Sequence, residues 1–209
     1  MAAVKEDDVD DSGGAPSVAI DVQLVVAARS GSARAFDVLV DRYHAGIATY
    51  LGRLLGDHEL AEDVTQETFF AAYRALHRLS DEHTFSAWLY RIARDRAITA
   101  LRRRAIVRFV SLEALGERVN SWFRRVSALD DVSTRHAIQA ALDALPLGER
   151  EALLLHSLAG FTAREIAEIL SISPDAAARR VSRGSQRFRQ FYRGNADATA
   201  GDNPEGGGR

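Results

Sequence analysis

The chain has 209 residues, 27 Lys and Arg against 29 Asp and Glu, 46% hydrophobic and 8% aromatic content, and no cysteine. That profile is globular and long enough for one or two small domains, and the lack of cysteine excludes a disulfide framework, a thiol nucleophile, a thiolate zinc site and an iron–sulfur cluster. No apolar run approaches the roughly 18 residues of a membrane span, and the first twenty residues are acidic where a secretory signal would be basic and then apolar; the expectation is a cytoplasmic protein, neither exported nor inserted in a membrane.

The opening stretch, Met1–Asp21, holds one lysine against six acids and is punctuated by Gly13, Gly14 and Pro16, so residues 1–20 read as a disordered acidic tail. Asp21 is placed to cap a short helix to about Arg29, and Ser30-Gly31 breaks it. Ser32 then caps a longer helix on which Phe36, Leu39, Val40, Tyr43, Ile47, Tyr50, Leu51, Leu54 and Leu55 make one apolar stripe. Past the Gly56-Asp57 turn, Leu60, Val64, Ala71, Tyr73, Leu76 and Leu79 mark a third helix. It is acidic: Asp57, Glu59, Glu62, Asp63 and Glu67 fall within eleven residues, and Asp63, Gln66, Glu67, Phe70 and Arg74 recur three or four apart on one face. Exposed, Phe70 in such a face suits a protein partner with basic and apolar contacts; buried, it leaves an ordinary solvated face, and the spacing admits both.

A polar loop over 80–83 leads to Thr84, the cap of a fourth helix from Phe85 to about Arg104. Arg91–Arg108 carries seven arginines against Asp95 alone, immediately after Phe85-Ser86-Ala87-Trp88-Leu89-Tyr90. Aromatic faces beside a cationic surface suit unstacked single-stranded bases, because every base has a π-face and every nucleotide a phosphate. The alternative places Phe85, Trp88 and Leu89 in the core, with the arginines solvating the far side.

A second helical cluster begins near Ser133 or Thr134, runs through Ile138, Leu142 and Leu145, and restarts at Pro146, whose missing N–H costs nothing in a first turn. Gly160 stops that helix and Thr162-Ala163-Arg164-Glu165 is a capping box opening the next. Ile166, Ala167, Ile169 and Leu170 give a short amphipathic helix, Ser171-Ile172-Ser173 a tight turn, and Pro174 leads a last helix to about Tyr192. This is a helix-turn-helix pattern, in which the second helix enters the major groove and its early residues meet base edges. Six arginines and no acid lie between Arg179 and Arg193; an ordinary helical hairpin with a solvated basic face is the competing reading. Residues 194–209 read as a second disordered tail, and the middle of the chain, Val22–Arg193, nets +5. Of the 27 basic residues 26 are arginine, whose planar fork suits phosphates and base edges, although genomic composition gives the same bias.

The expected architecture is therefore all-α, two small helical domains joined by a linker. His44, His58, His77, His83, His136 and His156 show no metal-ligand spacing, and no glycine-rich phosphate loop follows a strand. No metal, cofactor or enzymatic activity is expected.

Together these residues resemble the extracytoplasmic-function (ECF) subfamily of bacterial RNA polymerase sigma factors. The resemblance runs from Ala35-Phe36-Asp37-Val38-Leu39-Val40-Asp41-Arg42-Tyr43, through Ala61-Glu62-Asp63-Val64-Thr65-Gln66-Glu67-Thr68-Phe69 and Phe85-Ser86-Ala87-Trp88-Leu89-Tyr90-Arg91-Ile92-Ala93-Arg94, to Leu145-Pro146 and the helix-turn-helix. It implies region 2 over 21–104, a linker over 105–132 and region 4 over 133–193. By this resemblance Asp63, Gln66, Glu67 and Phe70 dock on the coiled coil of the largest subunit of core RNA polymerase, and region 4 meets its flap. Trp88, Arg91, Arg94, Asp95, Arg96, Thr99, Arg102 and Arg103 read the melted minus-ten element of promoter DNA. Thr162, Arg164, Pro174, Asp175, Ala177, Ala178, Arg179, Arg180 and Arg183 read the duplex minus-thirty-five element. It also implies an anti-sigma factor as the controlling partner.

The sequence departs from the family in two readers. Asp95 and Thr99 stand where members often have Asn followed four residues later by Asp or Asn, and Asp95 can accept from a cytosine amino group but cannot donate. Asp175-Ala176-Ala177-Ala178-Arg179-Arg180 replaces the usual Gly-Thr-Val-basic-Ser-Arg, leaving fewer polar side chains for base reading, so the promoter preference is expected to lie outside the common one. In the linker, Leu112, Leu115, Val119, Trp122, Phe123 and Val126 recur at helical spacing with Arg118, Arg124 and Arg125 among them. That pattern predicts a helix packed between the domains of the free protein, or a hydrophobic linker ordered only inside polymerase. The competing function is a stand-alone helix-turn-helix regulator whose first domain senses a ligand or dimerises.

Overall fold

Ser32 and Asp57 each sit in extended backbone and accept a hydrogen bond from the amide three residues on, at 3.3 Å for Ala35 and 3.1 Å for Leu60, which starts the two helices that frame the first half of the chain. The computed structural model describes residues 18–81, 84–114 and 130–200. Among these it contains α1 (Val18–Arg29), α2 (Ala33–Leu55), α3 (His58–Ala75), a 3-10 turn (Leu76–Arg78), α4 (Phe85–Ala114), α5 (Asp130–Asp143), α6 (Leu147–Ser157), α7 (Ala163–Leu170) and α8 (Pro174–Ala200), and no strand. The all-α expectation, with one helical cluster on each side of the linker, is borne out.

Gly56 closes α2 in the left-handed region (φ 65), where a Cβ would be strained, and returns the chain directly into α3. The capping box at Thr162 and Glu165 is complete in both directions. Ser171 ends α7 at φ 54, and Ser173 then accepts from the amide of Ala176 to start α8, with Pro174 in its first turn.

Several helix ends differ from the sequence reading. Asp21 does not cap α1, which begins three residues earlier; its carboxylate is buried, accepts a hydrogen bond from the Tyr43 hydroxyl and lies 3.1 Å from Arg42 Nε, so it ties α1 to α2. Thr84 Oγ1 donates to the Asp81 carbonyl at 2.7 Å. The fourth helix continues to Ala114, ten residues past Arg104, because nothing in Arg102–Ala114 breaks a helix. Similarly, α8 runs on to Ala200. The linker residues Leu115, Arg118, Val119, Trp122, Phe123, Arg124, Arg125 and Val126 lie outside the described residues, as do 1–17 and 201–209.

The two halves share one continuous apolar core. Leu39, Ile47, Leu51 and Leu54 of α2 and Leu89, Ala93 and Ala97 of α4 pack on Leu142 of α5, Leu154 and Leu155 of α6, and Ile166 and Ile169 of α7 within a single buried cluster. Polar bonds cross the same seam: Gln139 donates to the Arg53 carbonyl at 3.1 Å and Arg150 to the Leu54 carbonyl at 3.2 Å, satisfying the last carbonyls of α2.

Candidate nucleic-acid and protein-docking interfaces

On α3 the buried face is Ala61, Val64, Thr65, Thr68, Phe69 and Ala72, and the two threonines satisfy their hydroxyls by donating to the carbonyls of Ala61 and Val64, both at 2.7 Å. The opposite face leaves Asp63, Gln66 and Glu67 exposed, and Phe70 with 71% of its surface in solvent. Of the two readings of Phe70, the exposed one holds. Tyr73, 53% exposed, extends this patch across a shallow groove of about 430 Å³ that Phe36, Val40 and His44 of α2 complete. Its packing against Phe36, at 5.0 Å between rings, gives it this orientation, which its place among the apolar markers of the helix does not announce.

Helix α4 presents two different faces. Phe85 and Leu89 are core residues, as the plainer reading had them, with Phe85 edge-on to Tyr43 at 5.4 Å. Trp88 sits at the rim, in a cleft of about 250 Å³ with Arg78, Ser80 and Thr84 from the preceding loop and Arg91 one turn on. Arg91, Asp95, Arg96, Thr99, Arg102 and Arg103 are exposed. The Thr99 hydroxyl donates to the Asp95 carbonyl at 2.8 Å, whereas the Asp95 carboxylate is open to solvent and 3.2 Å from Arg94 Nη1. The acidic wall of α3 and the arginine wall of α4 face each other over a groove of about 450 Å³ lined by Asp63, Glu67, Arg96, Thr99 and Arg103, and pinned at one end by an Arg104–Asp57 ion pair of 2.8 Å. The candidate docking and single-strand residues are thus neighbours, with Glu67 and Phe70 also lining a cleft with Asp95 and Arg96.

Arg94 is the exception among the candidate single-strand residues. Its Nε lies 2.9 Å from Glu151 Oε1 of α6, a carboxylate only 4% exposed. Burial alone would lower the pKa of Arg94, but the charge and hydrogen bond of Glu151 outweigh it and raise it, so the guanidinium stays charged. The Tyr50 phenol beside this pair is pushed far above its ordinary range by burial and then by the charge of Glu151, so it stays neutral. Glu151 stands 57 residues from Arg94 in sequence, and no local spacing announces it.

In the helix-turn-helix, Thr162, Arg164, Pro174, Asp175, Ala178, Arg179 and Arg183 are exposed around the start of α8. Ala177 is a correction: it is fully buried, facing the core one turn below the exposed edge, and so has no surface to offer a base. Arg180 is half-buried, with its guanidinium over Gly148 at the start of α6. Gly184 brings α8 against α6 so closely that a Cβ there would lie 2.8 Å from the Glu149 carbonyl oxygen, and Arg187 pairs with the Glu149 carboxylate at 2.9 Å. Of the arginines of α8, Arg180 and Arg187 therefore reach back to α6, while Arg179, Arg183, Arg189 and Arg193 are exposed along the helix.

Two family models match: Sigma-70 region 2 over residues 39–106 and Sigma-70 region 4 over 135–188. The RNA polymerase sigma factor CarQ of Myxococcus xanthus is 32% identical over 165 residues, 78% of this chain and 92% of that one. The ECF RNA polymerase sigma factor SigE of Mycolicibacterium smegmatis is 32% identical over 173 residues, 79% of this chain, which spans 64% of that longer relative. Among solved structures, CnrH in complex with the cytosolic domain of CnrY superposes with a TM-score of 0.62 at 25% identity, over 82% of this chain and 96% of CnrH. With both sigma-70 regions matched in order, on an α3 face and a helix-turn-helix placed as described, the chain belongs to the ECF subfamily of bacterial RNA polymerase sigma factors.

Proposed function

We propose that this sigma factor binds core RNA polymerase and directs promoter-specific initiation in the cytoplasm, with each step assigned to one of the faces above. Region 2, over 21–104, docks on the largest subunit through Asp63, Gln66, Glu67 and Phe70. The melted minus-ten strand runs along Trp88, Arg91, Asp95, Arg96, Thr99, Arg102 and Arg103, and region 4, over 133–193, sets Thr162, Arg164, Pro174, Asp175, Ala178, Arg179 and Arg183 against the duplex minus-thirty-five element. The chemistry differs as it must: a duplex takes a helix in its groove, whereas single strands need stacking and cationic surface. Exposed Asp95 accepts but cannot donate, so it favours a base that offers an amino group, such as cytosine, at the position it meets.

The observation that carries this reading is Phe70, 71% exposed in an acidic face one groove away from the α4 arginines. Leaving a phenylalanine in water is unfavourable unless a partner covers it, and a stand-alone repressor has no use for that face. An anti-sigma factor is the proposed controlling partner, in line with the fold shared with CnrH, which was solved with the cytosolic domain of CnrY. Transcription in vitro with purified core polymerase tests the assignment. Promoter-directed transcripts that appear only when this chain is added support it; operator binding without any such transcript makes the chain a stand-alone regulator.

A further inference from the structure

The basic face of α8 does not stop where the helix-turn-helix stops. The helix packs inward through Ala177, Val181, Gly184 and Phe188, a stripe at spacings of three and four. On the side turned away from that stripe Arg179, Arg183, Gln186, Arg189, Gln190 and Arg193 recur at the same spacings, and all are exposed. No acid occurs on α8 between Asp175 and Asp197. Among the described residues neither Arg189 nor Arg193 forms an ion pair, and Arg189 Nε donates only to the Ser185 carbonyl, at 3.1 Å. The one nearby carboxylate that α8 engages, Glu149, is taken by Arg187 at 2.9 Å, off this stripe. Arg193 stands roughly 20 Å farther along the helix axis than Arg179, the rise of about six base pairs of duplex. The match to the family model ends at residue 188, so Arg189, Gln190 and Arg193 lie beyond it.

Cations three and four apart on a helix repel one another unless acids are set among them, and here the interleaved residues are glutamines, which both donate and accept. A line of phosphates relieves that repulsion along the whole stripe, and the planar fork of arginine pairs with phosphate through two hydrogen bonds. The stripe is also continuous with the edge of α8 that meets the duplex, so the ligand already at one end carries charge of the right sign and spacing to the other. We propose that the late stripe, Gln186 to Arg193, is a second duplex-binding site. Helix α8 lies along the DNA rather than standing in it by its tip, with Arg179 and Arg183 at the minus-thirty-five element and Arg189 and Arg193 on phosphates of the flanking duplex. This rests on the proposed role of the start of α8. Such a site adds affinity without sequence preference, because it touches backbone and no base edge. It suits this chain, whose Asp175-Ala176-Ala177-Ala178 start offers few polar side chains to bases and leaves much of the hold on duplex to phosphates.

The test titrates a fluorescein-labelled 30-base-pair DNA duplex of random sequence with the full-length chain at a series of salt concentrations. Arg189→Ala with Arg193→Ala is expected to weaken binding by roughly tenfold at low salt and to take about two from the salt slope, with the melting temperature unchanged. Arg189→Lys with Arg193→Lys keeps the slope, since lysine still meets a phosphate as a point charge. Because the chain has no cysteine, an iron chelate can be tethered singly at the exposed positions Gln190→Cys or Ala178→Cys. Cutting of the DNA backbone from both positions places the duplex along the helix. Cutting from Ala178→Cys alone overturns the second site, and so does a weaker affinity with an unchanged salt slope, which marks altered structure rather than lost phosphate contacts. If the late pair changes nothing while Arg179→Ala with Arg183→Ala weakens binding, the second site falls and the role of the helix start stands. If neither pair changes binding, that role fails as well.

Discussion

Helices α4 and α8 look alike in sequence, each a long rod rich in arginine, yet the structure uses that charge in different ways. On α8 Arg180 and Arg187 reach back to α6, over Gly148 and against Glu149, while Arg179, Arg183, Arg189 and Arg193 are exposed, the first two near the helix start. On α4 exposed and engaged arginines are interspersed from Arg91 to Arg104: Arg91, Arg96, Arg102 and Arg103 are open, and Arg94 and Arg104 are held by Glu151 and Asp57. A recognition helix meets base edges with its N-terminal residues, which is where Arg179 and Arg183 stand. A helix that supports an extended strand needs charge along the path of that strand.

The largest effect that would break this comparison is on duplex DNA. On the proposed role of α8, Arg179→Ala with Arg183→Ala takes away two phosphate contacts, so affinity for promoter duplex falls by roughly 10- to 100-fold and the salt dependence of binding loses about two from its slope, with the melting temperature unchanged. Arg187→Ala should do the reverse, leaving duplex binding intact. Titrations at several salt concentrations, paired with thermal melts, separate the two. Next in size is Gly184→Ala. Its methyl meets the Glu149 carbonyl at 2.8 Å and Leu153 Cβ at 3.3 Å, so α8 must lift off α6 at a cost of about 1–3 kcal/mol, and denaturant unfolding of the full chain reads that loss. Should the variant prove as stable as the parent, the close crossing that orients the recognition helix is not as tight as described.

Much of this organisation is legible in the sequence for a plain reason: helix starts, stops and apolar stripes are local. Ser32, Gly56, Asp57, Thr162 with Glu165, and Ser173 with Pro174 each act within four residues, and each appears where spacing places it. The spacing admits two readings of Phe70 because periodicity gives the face but not which neighbour covers it. Ala177 was misplaced because the family pattern locates the recognition helix without its rotation, and one residue turns a side chain by about 100°. No local spacing announces Glu151, since its significance comes from packing against Arg94, 57 residues away in the chain. Asp21 looked like a cap by type and position, and became a buried partner for Tyr43 and Arg42 only once α1 lay on α2.

A smaller prediction concerns the seam that α4 shares with region 4. Burial pushes the Tyr90 phenol from its ordinary value of 10 up to about 12, with its hydroxyl over Gly46, where an added Cβ would come within 2.9 Å. A folded-state pKa above the unfolded one means the contribution is complete below pH 10 and is lost as pH rises from about 10 to 12, because the unfolded chain gives up its proton first. Stability of the parent should fall across that window, with Tyr90 contributing up to about 2–3 kcal/mol of the loss. Tyr90→Phe should show a correspondingly shallower decline in denaturant titrations at successive pH values.

The central claim is that the acidic face of α3, with Phe70 at its edge, grips core polymerase while the two arginine rods remain for DNA. Its most direct measurement is co-elution of the purified chain with core RNA polymerase on a sizing column, for the parent and for Asp63→Arg with Glu67→Arg, two exposed substitutions that leave the core of α3 untouched. The account predicts that the parent co-elutes and the charge-reversed chain, equally helical by circular dichroism, emerges alone. Co-elution of both to the same extent would contradict it.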